Sequence, residues 1–247
     1  MIRTIAAKEL RILFSSPLAW VVLAFLQLIS AWIFLSRLQA YLDVQMQIAA
    51  NPGAPGITEW VITPVFGTAA IFMMMVVPLL SMRLIAEERR NQTLVFLISA
   101  PVSITQIVVA KILALLAFLA IPVALIALMG VALMIGGKID FGLLAANTLG
   151  LLLLCATFSA IGLYLSSLTA QPIVAAIGTY AVLLLLWLIN IGTSDPDSAM
   201  HMLSLVRHFE SFAKGVLSLV DAAYYVVLAL LFTGLAVRRL DGDRVRA

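Results

Sequence analysis

A chain of 247 residues that is 64% hydrophobic and 11% charged, with a mean hydropathy of +1.14, departs from soluble domains, in which about a quarter of residues are charged; it reads as an integral membrane protein. The single cysteine, Cys155, excludes an intrachain disulfide framework. A net charge of +3 without a clustered basic patch excludes a nucleic-acid partner.

The first predicted element covers residues 2–14. Ile2, Ile5, Ala6, Leu10 and Leu13 fall on one helical arc, with Thr4, Lys8 and Arg11 opposite. This is the pattern of a helix lying along a membrane surface. Glu9 interrupts it, because a step of about 100° per residue puts this acid inside the apolar arc. Two readings stand: a carboxylate reaching water at headgroup level, or a partner for a cytoplasmic arginine, Arg83, Arg89 or Arg90. Nothing after the first apolar segment resembles a small-residue cleavage site, so the segment is expected to stay attached.

A helix needs about 20 apolar residues to cross a hydrocarbon core of about 30 Å. Residues 17–36, 61–82 and 112–137 qualify. Between Ile139 and Asp195 the only charge is Asp140, a run too long for one crossing, so the chain must turn back at SSLTAQP, residues 166–172. The hydroxyls and amide there can satisfy backbone groups, and Pro172 suits a first helical turn. The run thus divides into spans 141–165 and 172–191. A sixth, 222–237, lies between Asp221 and Arg238 and is short unless Arg238 snorkels or Asp221 sits at the interface. None of these six carries an acid, a base or a histidine in its core, which disfavours an ion-coupled carrier. Pro78 and Pro122 are expected kinks. Ala156, Ser159, Ala160 and Gly162 are expected to let helices approach closely. Met73, Met74 and Met75 read as packing material rather than a metal path.

Eleven of the fifteen lysines and arginines lie at the N-terminus, between the second and third spans and in the tail. The positive-inside rule therefore predicts cytoplasmic termini and a cytoplasmic second connection. That connection reads RLIAEERRNQTLVFLISAPVS. The second span is expected to continue as RLIAEERR and stop at Asn91-Gln92-Thr93. A short helix, Leu94 to Ser99, then runs to Pro101, and Ser103 caps the third span. A solvated helix end would explain the charges but not LVFLIS; docking to another protein explains both. No phosphate-binding G-x-x-x-x-G-K-[ST] occurs, since Gly136-Gly137-Lys138-Ile139 lacks its upstream glycine and hydroxyl, and no H-E-x-x-H or internal repeat is present. The chain is expected not to be an enzyme.

The stretch SMRLIAEERRNQTLVFLISAPVSITQIVVAKIL resembles the signature of ABC type-2 permeases: an acidic-basic helix end, a tight turn, a short coupling helix and a proline before the third span. AAKELRILFSSPLAWVVLAF, GLYLSSLTAQPIVAA and HFESFAKGVLSLVDAAYY are similar to the gliding-motility permease branch, in the same order. Gln92 departs from the glycine usual in the family, Val95 from an acid, and Ala110 from a glycine before the lysine. The resemblance implies an all-α integral membrane fold, one permease domain over residues 1–247. Its six transmembrane helices are joined by an N-terminal amphipathic surface helix, a cytoplasmic coupling helix and an outer re-entrant helical hairpin. It further implies a multi-pass protein of the bacterial inner membrane, in contact with its lipids and working as a homodimer or as a heterodimer with a second permease. Such a subunit has no cofactor of its own; ATP and Mg belong to a separate ABC ATPase. By the same resemblance, Glu9, Glu87, Glu88, Arg89, Arg90, Thr93, Leu94, Phe96 and Leu97 form the ATPase-docking face. Residues 201–221 form the outer hairpin around His208, Phe209, Phe212 and Gly215, with Val216, Leu217 and Leu219 adding to its apolar side. His201 and His208 fit no standard metal-ligand spacing. Three function classes result: the permease of an ATP-driven exporter, a membrane partner through which an ATPase moves or regulates an attached protein, and, disfavoured, a secondary carrier.

Overall fold

The computed structural model describes residues 1–49, 56–94, 102–135, 139–192 and 202–246, and no strand occurs among them. The helices are α1 (Ile2–Ser15), α2 (Pro17–Ala49), α3 (Ile57–Ser81), α4 (Arg83–Arg90), α5 (Ile104–Ala132, continued by a 3-10 turn, Leu133–Ile135), α6 (Phe141–Leu168), α7 (Pro172–Gly192), α8 (Leu205–Ala213) and α9 (Leu219–Arg246). Six stretches are long and apolar enough to cross a membrane: Pro17–Gln45, Ile57–Arg90, Ile104–Ile135, Phe141–Leu168, Pro172–Ile189 and Leu219–Arg244.

Hydropathy places the crossings correctly but not their ends. α2 continues past Ser36 to Ala49, α5 begins at Ile104 rather than Ile112, and α9 runs through Arg238 and Arg239 to Arg246. Backbone hydrogen bonding does not stop at the hydrocarbon boundary, and lysine, arginine, glutamate and glutamine are good helix formers that carry a helix onward into water. At 28 residues, α9 is about 42 Å long and spans without difficulty.

α6 is the central helix, packed against α3, α4, α5, α7, α8 and α9. Its most apolar window and that of α3 are each 61% buried, against 28% for α2, 17% for α7 and 11% for α9, so these last three form an outer layer. Lipid tails are as apolar as leucine, so helices in a bilayer associate through close packing and polar contacts. The crossing of α3 with α6 uses both. A Cβ built on Gly162 would lie 2.1 Å from Ser81 Oγ and 2.6 Å from Ser81 Cβ, so the two backbones meet as closely as they do only because Gly162 lacks one. Ser159 and Ala160 are fully buried on the same helix, whereas Ala156 is only half-buried. At the Met82 break between α3 and α4, Ser166 Oγ accepts the backbone N–H groups of Ile85 (3.1 Å) and Ala86 (3.0 Å) and donates to the Met82 carbonyl (2.8 Å). The first turn of α4 is thus capped by a side chain from another helix, which satisfies donors that a helix start leaves without partners.

Side chains cap two other helix starts: Ser103 as the sequence predicts, and Asp140, which sequence inspection did not single out. Ser103 Oγ accepts from Gln106 N at 3.3 Å and Asp140 Oδ1 from Leu143 N at 3.0 Å. α6 stops at Leu168 and α7 starts at Pro172. Pro64, which sequence inspection did not single out, lies inside α3 with Pro78, and Pro122 lies inside α5.

Gly162→Ala is expected to force α3 and α6 apart and destabilise the bundle by about 1–3 kcal/mol, the usual range for overpacking. Adding Ser81→Gly should recover most of that loss. Thermal unfolding in detergent measures both; equal midpoints for wild type and Gly162→Ala would contradict the crossing.

Candidate functional site

The polar chemistry gathers at the end of the bundle that holds α1, α4 and the C-terminal part of α9. α4, with the sequence RLIAEERR, turns Leu84, Ile85 and Ala86 inward and leaves Arg83, Glu87 and Arg90 exposed, while Glu88 and Arg89 lie between. Glu87 and Arg90, three residues apart, share a face; Glu88 and Arg89 point back toward the bundle.

Glu88 reaches Lys111. That lysine, 1% exposed, lies about two turns into α5. Its Nζ is 2.7 Å from Glu88 Oε1 and 3.0 Å from Glu9 Oε1, so one buried ammonium joins α1, α4 and α5. Glu9, 7% exposed, is the only buried residue of α1. The expectation that Glu9 pairs with Arg83, Arg89 or Arg90, or else reaches water, is corrected: its partner is Lys111. The expectation of spans free of charge is corrected with it, since α5 begins early enough to enclose Lys111. The physical reason is shared. α1 packs along the start of α5, with Phe14 against Phe118 at 5.3 Å between ring centroids, and this contact brings the acid to the lysine. Glu88 Oε2 is buried without a hydrogen-bond partner among the described residues.

Arg89 fastens the other side of α4. Its Nη2 donates to the Ser167 carbonyl (2.8 Å) and to Asp243 Oδ2 (2.5 Å), and Arg239 stands 3.9 Å from the other oxygen of Asp243. Beyond Arg90 the helix closes in a Schellman turn, with Gln92 N bonded to the Arg89 carbonyl (3.2 Å) and Thr93 N to the Glu88 carbonyl (2.9 Å). Gln92 holds φ +57°, the left-handed conformation that favours glycine, so the turn forms at a cost of about 1 kcal/mol.

The nine residues assigned to a docking face therefore separate. Glu9, Glu88 and Arg89 are engaged inside the bundle, and Leu94 is buried. Glu87, Arg90 and Thr93 are exposed. Phe96 and Leu97 lie outside the described residues, as does the rest of the expected coupling helix. Sequence reasoning missed Lys111, Ser166 and Asp243 as members of the cluster. A lone lysine between Ala110 and Ile112 in an apolar run was the available signal for the first.

At the opposite end, α8 gathers the expected hairpin residues. Phe209 and Phe212 are buried, and Val216, Leu217 and Leu219 are exposed. Phe212 sits where a Cβ on Gly150 would be 2.6 Å from its own Cβ. The carbonyl of Ala213 accepts from Thr63 Oγ1 (3.1 Å) and Asn147 Nδ2 (3.4 Å), and Gly215, at φ +79°, closes the helix in a second Schellman turn. His208 Nδ1 lies 2.6 Å from Asp221 Oδ1 and its Nε2 3.0 Å from the Met202 carbonyl, with the Tyr224 ring stacked at 3.9 Å. Both ring nitrogens are thus occupied, Nδ1 in joining α8 to α9 and Nε2 in holding the segment before α8. His201 lies outside the described residues.

Six crossing-length helices with an ion-paired, internally fastened helix end define a multi-pass membrane protein whose polar contacts converge where its second crossing emerges. Residues 3–209 match the model of the ABC-2 family transporter proteins, and the chain belongs to that family: it is a membrane component of an ABC transporter. No curated protein matches it in sequence.

Lys111→Met strands two buried carboxylates and is expected to cost about 3–5 kcal/mol of stability. The same change in a Glu9→Gln/Glu88→Gln background should cost much less. In double-mutant cycles, Glu9 should couple to Lys111 by about 0.5–3 kcal/mol and to Arg89 by less than about 0.5 kcal/mol. Unfolding in detergent reads these energies; an equal loss from Lys111→Met in both backgrounds would refute the cluster.

Proposed function

We propose that the chain is the permease subunit of an ATP-driven exporter, powered by a separate ABC ATPase that binds ATP and Mg and docks on the segment after α4. One observation carries this reading. α4 is fastened to α1, α5, α6 and α9 through Glu88, Arg89 and Ser166, yet keeps Glu87 and Arg90 on its open face, immediately before the apolar LVFLIS. A push on that segment passes through α4 into four other helices. The apolar residues that follow the buried Leu94 supply the contact, with Phe96 as its anchor and Leu97 beside it, while Glu87, Arg90 and Thr93 set register at the rim. The lysine and arginine distribution supports cytoplasmic termini, and the resemblance to ABC type-2 permeases supports a bacterial inner membrane. The exposed faces of α2, α7 and α9 support a dimer, with a second copy or a second permease, and the chain itself is read as a member of the gliding-motility branch.

Phe96→Ala is expected to remove about 2 kcal/mol of docking energy, roughly thirtyfold in affinity, with the membrane helices intact. Copurification of the ATPase and ATP turnover in nanodiscs report this; full binding and full turnover in the variant would defeat the docking assignment. Stimulated turnover without any solute crossing in sealed proteoliposomes would favour an ATPase-driven membrane partner over an exporter.

Orientation has its own test. Cys155 is fully buried, so introduced cysteines can be probed against a quiet background. Lys214→Cys should react with an impermeant thiol reagent on intact cells and Gln92→Cys should not. The reverse pattern would invert the topology.

A further inference from the structure

A cleft of about 770 Å³ opens between the exposed face of α4 and the start of α7, and Met82, Arg83, Glu87, Arg90, Gln171 and Ile173 are among its lining residues. We propose that it binds the phosphate of an anionic lipid headgroup. Arg83 and Arg90 are both exposed, and neither has an ion-pair partner among the described residues. They stand seven positions apart on one helical face, a separation of about 10 Å along the axis, with Glu87 between them. The three charges sum to a single positive charge, the complement of one phosphodiester. Guanidinium groups grip phosphate oxygens through paired N–H donors, which suits this task better than ammonium groups would.

The opposite wall adds donors. Pro172 opens α7 without an N–H, and the N–H groups of Ile173 and Val174 have no acceptor among the described residues. A first helical turn in that state favours an anion, and the Gln171 side chain is beside it.

Depth and continuity distinguish a lipid from a soluble anion. Met82 marks the break at which α3 gives way to the charged α4, and Pro172 the beginning of α7, so the cleft lies where apolar helix meets charged helix, the level at which headgroups sit. From it an uncovered apolar line descends α7 through Ile173 (70% exposed) and Ile177 (65% exposed), four residues apart and hence on one face. A ligand with an anionic head and an apolar tail fits both parts. Glu87 and Arg90 also stand at the proposed docking rim, so lipid retention is read on the purified chain without the ATPase.

The test uses the full purified chain in neutral detergent. Phosphatidylglycerol or phosphatidylcholine is added, and retained lipid is counted by native mass spectrometry. Phosphatidylglycerol should be held in preference, and Arg83→Gln/Arg90→Gln should weaken it by about tenfold or more, the loss of charge-assisted hydrogen bonds. Arg3→Gln/Arg11→Gln removes the same charge from the exposed face of α1 and should change retention by less than about twofold. Equal losses in the two double variants would reduce the effect to diffuse surface charge. Unchanged lipid retention in the cleft variant would overturn the site. Displacement of the lipid by millimolar inorganic phosphate would make the ligand a free anion.

Discussion

An ammonium group carried about two turns into a helix of a membrane protein has few places to go, and the rest of this structure can be read from how Lys111 solves that problem. In a medium of low dielectric an unpaired charge is far costlier than a broken hydrogen bond. Lys111 must therefore hold carboxylates, and it holds two, one from α1 and one from α4. Once that is settled, α1 cannot float on the bilayer surface as an independent amphipathic helix, and α4 cannot swing as a loose extension of α3. Ser166 and the Arg89–Asp243 pair complete the constraint from α6 and α9. For a subunit of an ABC transporter this matters mechanically, because a force is useful only if the element receiving it is stiffly joined to the elements that must move.

The opposite end of the bundle is built with different chemistry to a similar purpose. A short helix, α8, is held by one buried ring against a glycine, by a hydroxyl and an amide donor on its last carbonyl, and by an imidazole with both nitrogens engaged. Neither end relies on apolar burial alone, which is what a bilayer demands when the surrounding solvent is itself apolar.

The crossings were legible in the sequence because hydropathy over about 20 residues is a local property. The turn at residues 166–172 and the Ser103 cap were legible for the same reason: a hydroxyl and a proline announce them within a few positions. Glu9 was half legible. Helical periodicity flagged it as misplaced, but its partner lies 102 residues away, a separation that no periodicity encodes. Arg89 and Glu88 looked like surface charges because a one-dimensional reading cannot tell which side of α4 faces the bundle. Gln92 shows another limit, since a strained but tolerated conformation leaves no trace in composition. The docking face was seen as one unit where the structure separates a fastening half from an exposed half.

The spacing of the Lys111 cluster along the chain also orders the protein's biogenesis. Glu9 is made first, and at about 5–20 residues per second its partner follows only after several seconds or more; Glu88 emerges in the interval, just before the third crossing. Until Lys111 arrives, two acids remain at the membrane surface, each free to be solvated, and α1 has no reason to settle in one place. The third crossing thus does more than enter the bilayer. Its arrival fixes the position of a helix synthesised long before it, so a nascent chain that loses or misinserts this segment would expose an untethered N-terminal helix, a recognisable mark of incomplete assembly for membrane quality control.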